Sequence, residues 1–157
     1  MSFTPPFKYI DADSLAEQLR EQQKDSSSKE IAIVDVRDDD FVGGNIVGAR
    51  NVPSTSFESQ VDSLVLGPLK EFKKVVFHCS LSQQRGPKAA RIYSETRTEV
   101  LRREKLSETE SKSDPKGKPN PEQEVLVLRG GFSEFGAKFK NEKDIVEKYD
   151  EESWSYR

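Results

Sequence analysis

Cys79 and Arg85 stand at the two ends of CSLSQQR, and their types and spacing fit one chemistry. Cys79 follows the apolar run VVF and His78, and Arg85 precedes Gly-Pro and a helical pattern, so the stretch reads strand, short loop, helix. Backbone N–H groups converge where such a loop enters a helix, and the helix dipole favours negative charge there. A dianionic phosphate suits that place, and the same field favours a thiolate, the nucleophilic form of cysteine. Five intervening residues, Ser80, Leu81, Ser82, Gln83 and Gln84, can curl round a phosphoryl group as a phosphate-binding loop. Arg85 then donates two parallel hydrogen bonds to the phosphoryl oxygens. Charge in phosphoryl transfer spreads over three equatorial oxygens, so a ring of amides and one arginine stabilises it without a metal. A lone cysteine is more often a small buried hydrophobe. Its place between a buried strand and a Gly-Pro helix start is what makes this one specific.

Five short stretches read as strands that must position the loop: Tyr9-Ile10, Ile31 to Val36, Asn51-Val52, Val75 to His78 and Val125 to Leu128. IAIVDV, VVFH and VLVL are nearly continuous in apolar character, as strands buried on both faces of a parallel sheet are. Ala12 to Gln22 follows Asp11, a capping residue, and sets Leu15 and Leu19 one turn apart on one face. The sequence GPKAARIYSETRTEVLRR offers Pro at a helix start and Ala89, Ala90, Ile92, Tyr93 and Val100 on a helical period. Strands alternating with helices predict one α/β domain over 1–157, with a parallel sheet and right-handed crossovers. Lys24 to Glu30 reads as a loop, and the stretch 107–123, charged and rich in proline, as a flexible insertion. Lengthening a surface loop costs only slowly growing closure entropy, so such an insertion is compatible with a small core.

The neighbours of the loop carry weaker signals. His78, the sole histidine, is adjacent to Cys79 on a strand, so the two side chains point to opposite faces and His78 faces inward or bonds the loop backbone. A Cys-His-Asp hydrolase and a zinc site of the usual Cys and His ligands both fall away with only these two residues available. Asp35 and Arg37 read either as acid and binding group or as a strand-end ion pair that fixes loops, and structural support is the preferred reading. Asp38, Asp39 and Asp40 read as a solvated helix start, where carboxylates complement the dipole. Gly43-Gly44 and Gly130-Gly131 read as turns needing positive φ or close backbone approach.

Hydrophobic residues make up 33% of the chain and charged residues 34%, which places part of the length outside any core. A net charge of -3 lacks the basic excess that nucleic-acid binding needs, so no nucleic-acid partner is expected. No apolar run approaches the roughly 20 residues of a membrane helix. One cysteine and no apolar leader fit a reducing intracellular setting, cytoplasm or nucleus. No cofactor is called for.

On these residues the chain resembles the rhodanese superfamily and, within it, the M-phase inducer phosphatases and their small fungal and plant relatives. IVDVRDDDFVGGNIVGARNVP is similar to the family's strand-loop signature, VVFHCSLSQQRGP to its catalytic segment, Arg91 to its helix arginine, and VLRGGFSEF to its closing strand-turn. The resemblance implies a rhodanese-like fold with a central five-stranded parallel sheet flanked by helices. It also implies Cys79 as nucleophile, a cysteinyl-phosphate intermediate and its hydrolysis by water. Seven residues from Cys79 to Arg85 resemble the phosphatase loop, one longer than the usual sulfurtransferase loop. The implied substrate is a phosphorylated protein, at phosphotyrosine or phosphothreonine, or a small phosphomonoester. Arsenate reduction is the alternative, and with one cysteine it would need glutathione or glutaredoxin to resolve the adduct. Sulfur transfer and a non-catalytic binding module rank below both. The chain departs from the M-phase inducers in carrying Ser80 and Gln84 where they have acidic loop residues, Asn45 in place of a histidine, and Val36 in place of a second cysteine.

Overall fold

The computed structural model describes residues 7–25, 29–41, 43–107 and 122–152. Five strands form one sheet in the order β1 (Lys8–Ile10), β6 (Glu124–Leu128), β5 (Lys74–His78), β2 (Ile31–Asp35), β4 (Arg50–Asn51), and every pairing is parallel. The expected strands are all present, displaced by a residue at some ends. Val36 lies just past β2, yet its N–H donates to the carbonyl of His78 at 2.9 Å and so prolongs the pairing by one bond. A separate antiparallel pair joins β3 (Asn45–Ile46) to β7 (Val146–Glu147). The Asn45 amide donates to Ile46 O and Glu147 Oε1, holding the two short strands together.

Side chains alternate across the central strands, and each set meets its own helix layer. Val75 and Phe77 of β5, with Val125 and Val127 of β6, pack beneath α2 (Phe57–Leu66) and α3 (Arg85–Ser107) through Val61, Val65, Ala89, Ala90 and Tyr93. Val76, Leu126 and Leu128 point the other way, toward α1 (Ala12–Gln23) and α4 (Gly131–Phe139), whose Leu15, Leu19, Phe132 and Phe135 are buried there. Phe77 is the centre of the first layer, edge-on to Phe57 and tilted against Tyr93. Truncating a ring in such a place costs about 3–5 kcal/mol. Asp11 caps α1 by accepting from the N–H of Ser14 at 2.8 Å.

Both α2 and α4 escaped the reading of periodicity, the second because GGFSEF reads as a turn. Both ends of the 107–123 stretch are among the described residues. Ser107 ends a helix of 23 residues, and Gln123 is buried: its amide accepts from Tyr93 Oη at 2.7 Å and donates to Leu69 O and Phe72 O. The rest of the flexible insertion expected over 107–123, residues 108–121, lies outside the described residues. The serines expected in the Lys24 to Glu30 loop, Ser26 to Ser28, also lie outside them.

Candidate active site

The loop from Cys79 to Gln84 leaves the carboxyl end of β5, a central strand, and runs directly into α3, whose first residue is Arg85. Pro87 sits in the first turn of that helix, where its missing N–H has no intrahelical partner to lose. Gly86 lets the helix approach the strand end: a Cβ there would lie 3.3 Å from His78 Cα and 3.4 Å from Cys79 N. Cys79 is buried, and the backbone N–H of Ser82 donates to its Sγ at 3.1 Å. That contact needs a sharp loop, and Ser82 accordingly has a φ of +56°. Its buried hydroxyl has no hydrogen-bond partner among the described residues. Leu81 stands at the exposed apex, and Gln83 and Gln84 face solvent beside it.

The outer side of the loop is fastened by α4. Phe132 N donates to Cys79 O at 3.0 Å and Ser133 N donates to Ser80 O at 2.9 Å. Gly131, with φ +60°, makes this possible, since a Cβ there would fall 2.4 Å from Ser80 O and 2.6 Å from Cys79 O. The second glycine pair of the sequence is thus a close approach of backbone to the loop.

Arg85 is not bare. Its Nη1 and Nη2 donate to Asp40 Oδ1 at 2.9 Å and Oδ2 at 2.7 Å, and Nη1 reaches Asp38 Oδ2 at 3.3 Å. Ser80 Oγ donates to Asp40 Oδ2 at 2.6 Å. The guanidinium, followed by the Ser80 hydroxyl, holds the Asp40 carboxyl well below the usual carboxylate range, and Asp40 in turn raises Arg85. Burial disfavours charge on Asp38, but hydrogen bonds from Ser54, Thr55 and Arg85 outweigh it and leave this carboxyl lowered as well. This corrects the expectation of a solvated helix start. Asp39–Phe41 is a single 3-10 turn in which Asp39 is exposed, while Asp38 and Asp40 beside it are partly buried against Arg85. Spacing alone could not show a contact between residues 45 apart in sequence. The available signal was the crowding of three carboxylates, which becomes tolerable when a cation faces two of them.

Asp35, Arg37 and His78 lie under this layer with no solvent exposure. Arg37 forks onto both Asp35 oxygens at 2.7–3.1 Å and donates to Gly44 O and Asp40 O. Its guanidinium also lies over the Phe132 ring, 4.4 Å from the centroid. The bond to Asp40 O ties the buried pair to the turn that carries Asp40. His78 stacks on Phe132 on the sheet face opposite Cys79, with Nδ1 at 3.1 Å from Cys79 O. The Nδ1–H tautomer fits that carbonyl and turns a bare Nε2 toward Asp35 Oδ2, 3.7 Å away. Burial pushes the His78 pKa down, so the ring is neutral. Arg91 lies exposed on α3, outside this cluster.

Beside Arg85 is a cleft of about 210 Å³ lined by Ser54, Thr55, Glu58, Lys88 and Ile92, and Cys79 is not part of its lining. A wider groove of about 900 Å³ runs past Ile31, Ile33 and Phe72 at the opposite end of the sheet and touches neither Cys79 nor Arg85. Among the described residues no group of three or more His, Cys, Asp or Glu is arranged to hold a metal ion, and no helix is long and apolar enough to cross a membrane.

The chain is similar to known proteins in sequence and fold. Dual specificity phosphatase ibp1 of Schizosaccharomyces pombe is 36% identical over 141 residues, spanning 88% of this chain and 95% of that protein. Arsenate reductase 2.2 of Oryza sativa subsp. japonica is 32% identical over 126 residues, 80% of this chain and 78% of the other. The solved structure of Ygr203w, described as a yeast protein tyrosine phosphatase of the Rhodanese family, matches with a TM-score of 0.67 at 25% identity over 98% of this chain and 99% of that one. A family model for the rhodanese-like domain matches residues 15–138, from the first helix through the strand-loop-helix of Cys79 to α4. With a family model matching residues 15–138 and relatives more than 30% identical over most of its length, the chain belongs to the rhodanese-like family.

Proposed function

We propose that this chain is a cysteine-dependent phosphatase that hydrolyses phosphomonoesters, phosphotyrosine or phosphothreonine of proteins among them, through a cysteinyl-phosphate on Cys79. The observation that carries the reading is the closed loop at the end of β5, with a backbone N–H on Sγ and Arg85 at the head of α3. In the first step Sγ attacks phosphorus, the bond to the leaving oxygen breaks, and Arg85 with the loop amides holds the charge on the equatorial oxygens. In the second step water displaces Sγ and phosphate leaves. Asp35, Arg37 and His78 act as support beneath the loop.

A second reading is favoured by the likeness to the rice arsenate reductase. Arsenate has the shape and charge of phosphate, and Cys79 is the single cysteine of the chain, so glutathione or glutaredoxin must supply the other thiol. Hydrolysis of an aryl phosphate by wild type, Cys79→Ser and Arg85→Ala separates the two, with glutathione-dependent arsenate reduction and thiosulfate sulfur transfer measured in parallel. The phosphatase reading expects aryl phosphate turnover that falls by at least about 100-fold in both variants. Arsenate reduction or sulfur transfer without phosphate turnover would reassign the site.

A further inference from the structure

We propose that Asp40, linked to the loop through the Ser80 hydroxyl, accepts the proton of the water that hydrolyses the cysteinyl-phosphate. The inference rests on the phosphatase reading and names a residue for the step that reading leaves without a base. Between Cys79 and Arg85 no side chain can take a proton near neutral pH. His78 lies on the other face of the sheet with Nδ1 committed to Cys79 O. Two carboxylates meet the site, and they differ. Asp38 is spent on the loop before α2, accepting from Ser54 Oγ at 2.6 Å and from Thr55 N at 3.3 Å. Asp40 instead accepts from Ser80, the residue that follows the nucleophile, and is half-buried.

Arg85 sits across both Asp40 oxygens, and a phosphoryl group in the loop competes for the same two nitrogens. As the guanidinium turns toward the phosphoryl oxygens, Asp40 loses its strongest partner and becomes more basic when the intermediate is in place. The groups that face it then include Ser80 from the loop, Asp38 N from its own turn, at 2.9 Å, and the displaced Arg85. In the step itself the water oxygen bonds to phosphorus, the S–P bond breaks, and its electron pair returns to Sγ as thiolate. The water proton passes to Ser80 Oγ as the Ser80 proton passes to Asp40 Oδ2. Nothing is oxidised, and the proton leaves to solvent with phosphate.

Rapid-quench kinetics with an aryl phosphate and a ³²P-labelled counterpart test this on the full chain. In Asp40→Asn the amide keeps size and part of the Arg85 contact. The expected result is a burst of one aryl alcohol per enzyme, steady-state turnover down by about 100-fold, and accumulation of labelled phosphoenzyme. Ser80→Ala, at a partly exposed position that leaves the core untouched, is expected to show the same pattern at about 10-fold, and Asp40→Glu to restore turnover in part. Loss of the burst together with steady-state turnover, a raised KM and no labelled phosphoenzyme in Asp40→Asn and Ser80→Ala would overturn the proposal and leave Asp40 as a positioning residue for Arg85. Absence of any Cys79-dependent aryl phosphate turnover in wild type would instead remove the phosphatase reading, and this proposal with it.

Discussion

Two Asp–Arg pairs meet at the turn after β2, and they are the same chemistry in opposite surroundings. Asp35–Arg37 has no solvent exposure, is forked, and has its remaining donors on backbone carbonyls. Asp40–Arg85 is about a third exposed, shares its arginine with Asp38, and has Ser80 on one of its oxygens. A buried pair recovers its desolvation cost only when every donor is satisfied, so it behaves as an all-or-none part of the fold. A half-exposed pair can be exchanged for another anion at small cost, which is what a phosphate site requires. The chain uses the first to hold the turn that delivers the second.

The comparison breaks most visibly if one partner of the buried pair is removed. Arg37→Ala leaves the Asp35 carboxylate uncompensated, and chemical denaturation is expected to show a loss of about 3–5 kcal/mol. By the usual scaling of roughly 2–4 °C per kcal/mol, thermal melting should fall by about 10 °C. If the variant melts like wild type, Asp35–Arg37 is no keystone.

The half-exposed pair should respond in activity instead. Arg85→Lys keeps a positive charge against Asp40 but loses the planar fork. Stability is expected to stay within about 1 kcal/mol of wild type, while phosphatase kcat/KM falls by about 100-fold. A large stability loss here would mean that the two pairs are equivalent.

A smaller effect sharpens the contrast by pH. His78, beside the buried pair, has a folded pKa depressed below its ordinary 6.5. The unfolded chain therefore takes up a proton that the folded chain refuses, and stability must fall as pH drops below about 6.5. Denaturation curves between pH 7 and 5 should show this slope in wild type and lose its His78 part in His78→Asn, whose amide can still donate to Cys79 O. An identical slope in both proteins would place the pH dependence elsewhere.

What was legible beforehand follows the range of the interactions. The buried strands are continuous apolar runs, and the Cys79 loop is bounded by a strand and Gly-Pro, so both could be read locally. That His78 and Cys79 face opposite ways follows from strand alternation alone. The roles of Asp38 and Asp40 were not legible, because their partner Arg85 is brought near only by the parallel pairing of β2 with β5. Gln123 failed for the same reason: in a charged, proline-rich stretch it looked like more of the insertion, while its partners Leu69, Phe72 and Tyr93 are 30–54 residues away.

The close approach of Gly131 also sorts the polarity of the loop. A trans peptide points its carbonyl and the following N–H in opposite directions. With Cys79 O and Ser80 O both drawn onto the amides of α4, the N–H groups of Ser80 and Leu81 must point away from that helix. One flank of the turn thus gathers acceptors and the other donors. An anion meets the donor side without any side chain having been spent to create it, and a methyl group at residue 131 would be enough to scramble that order.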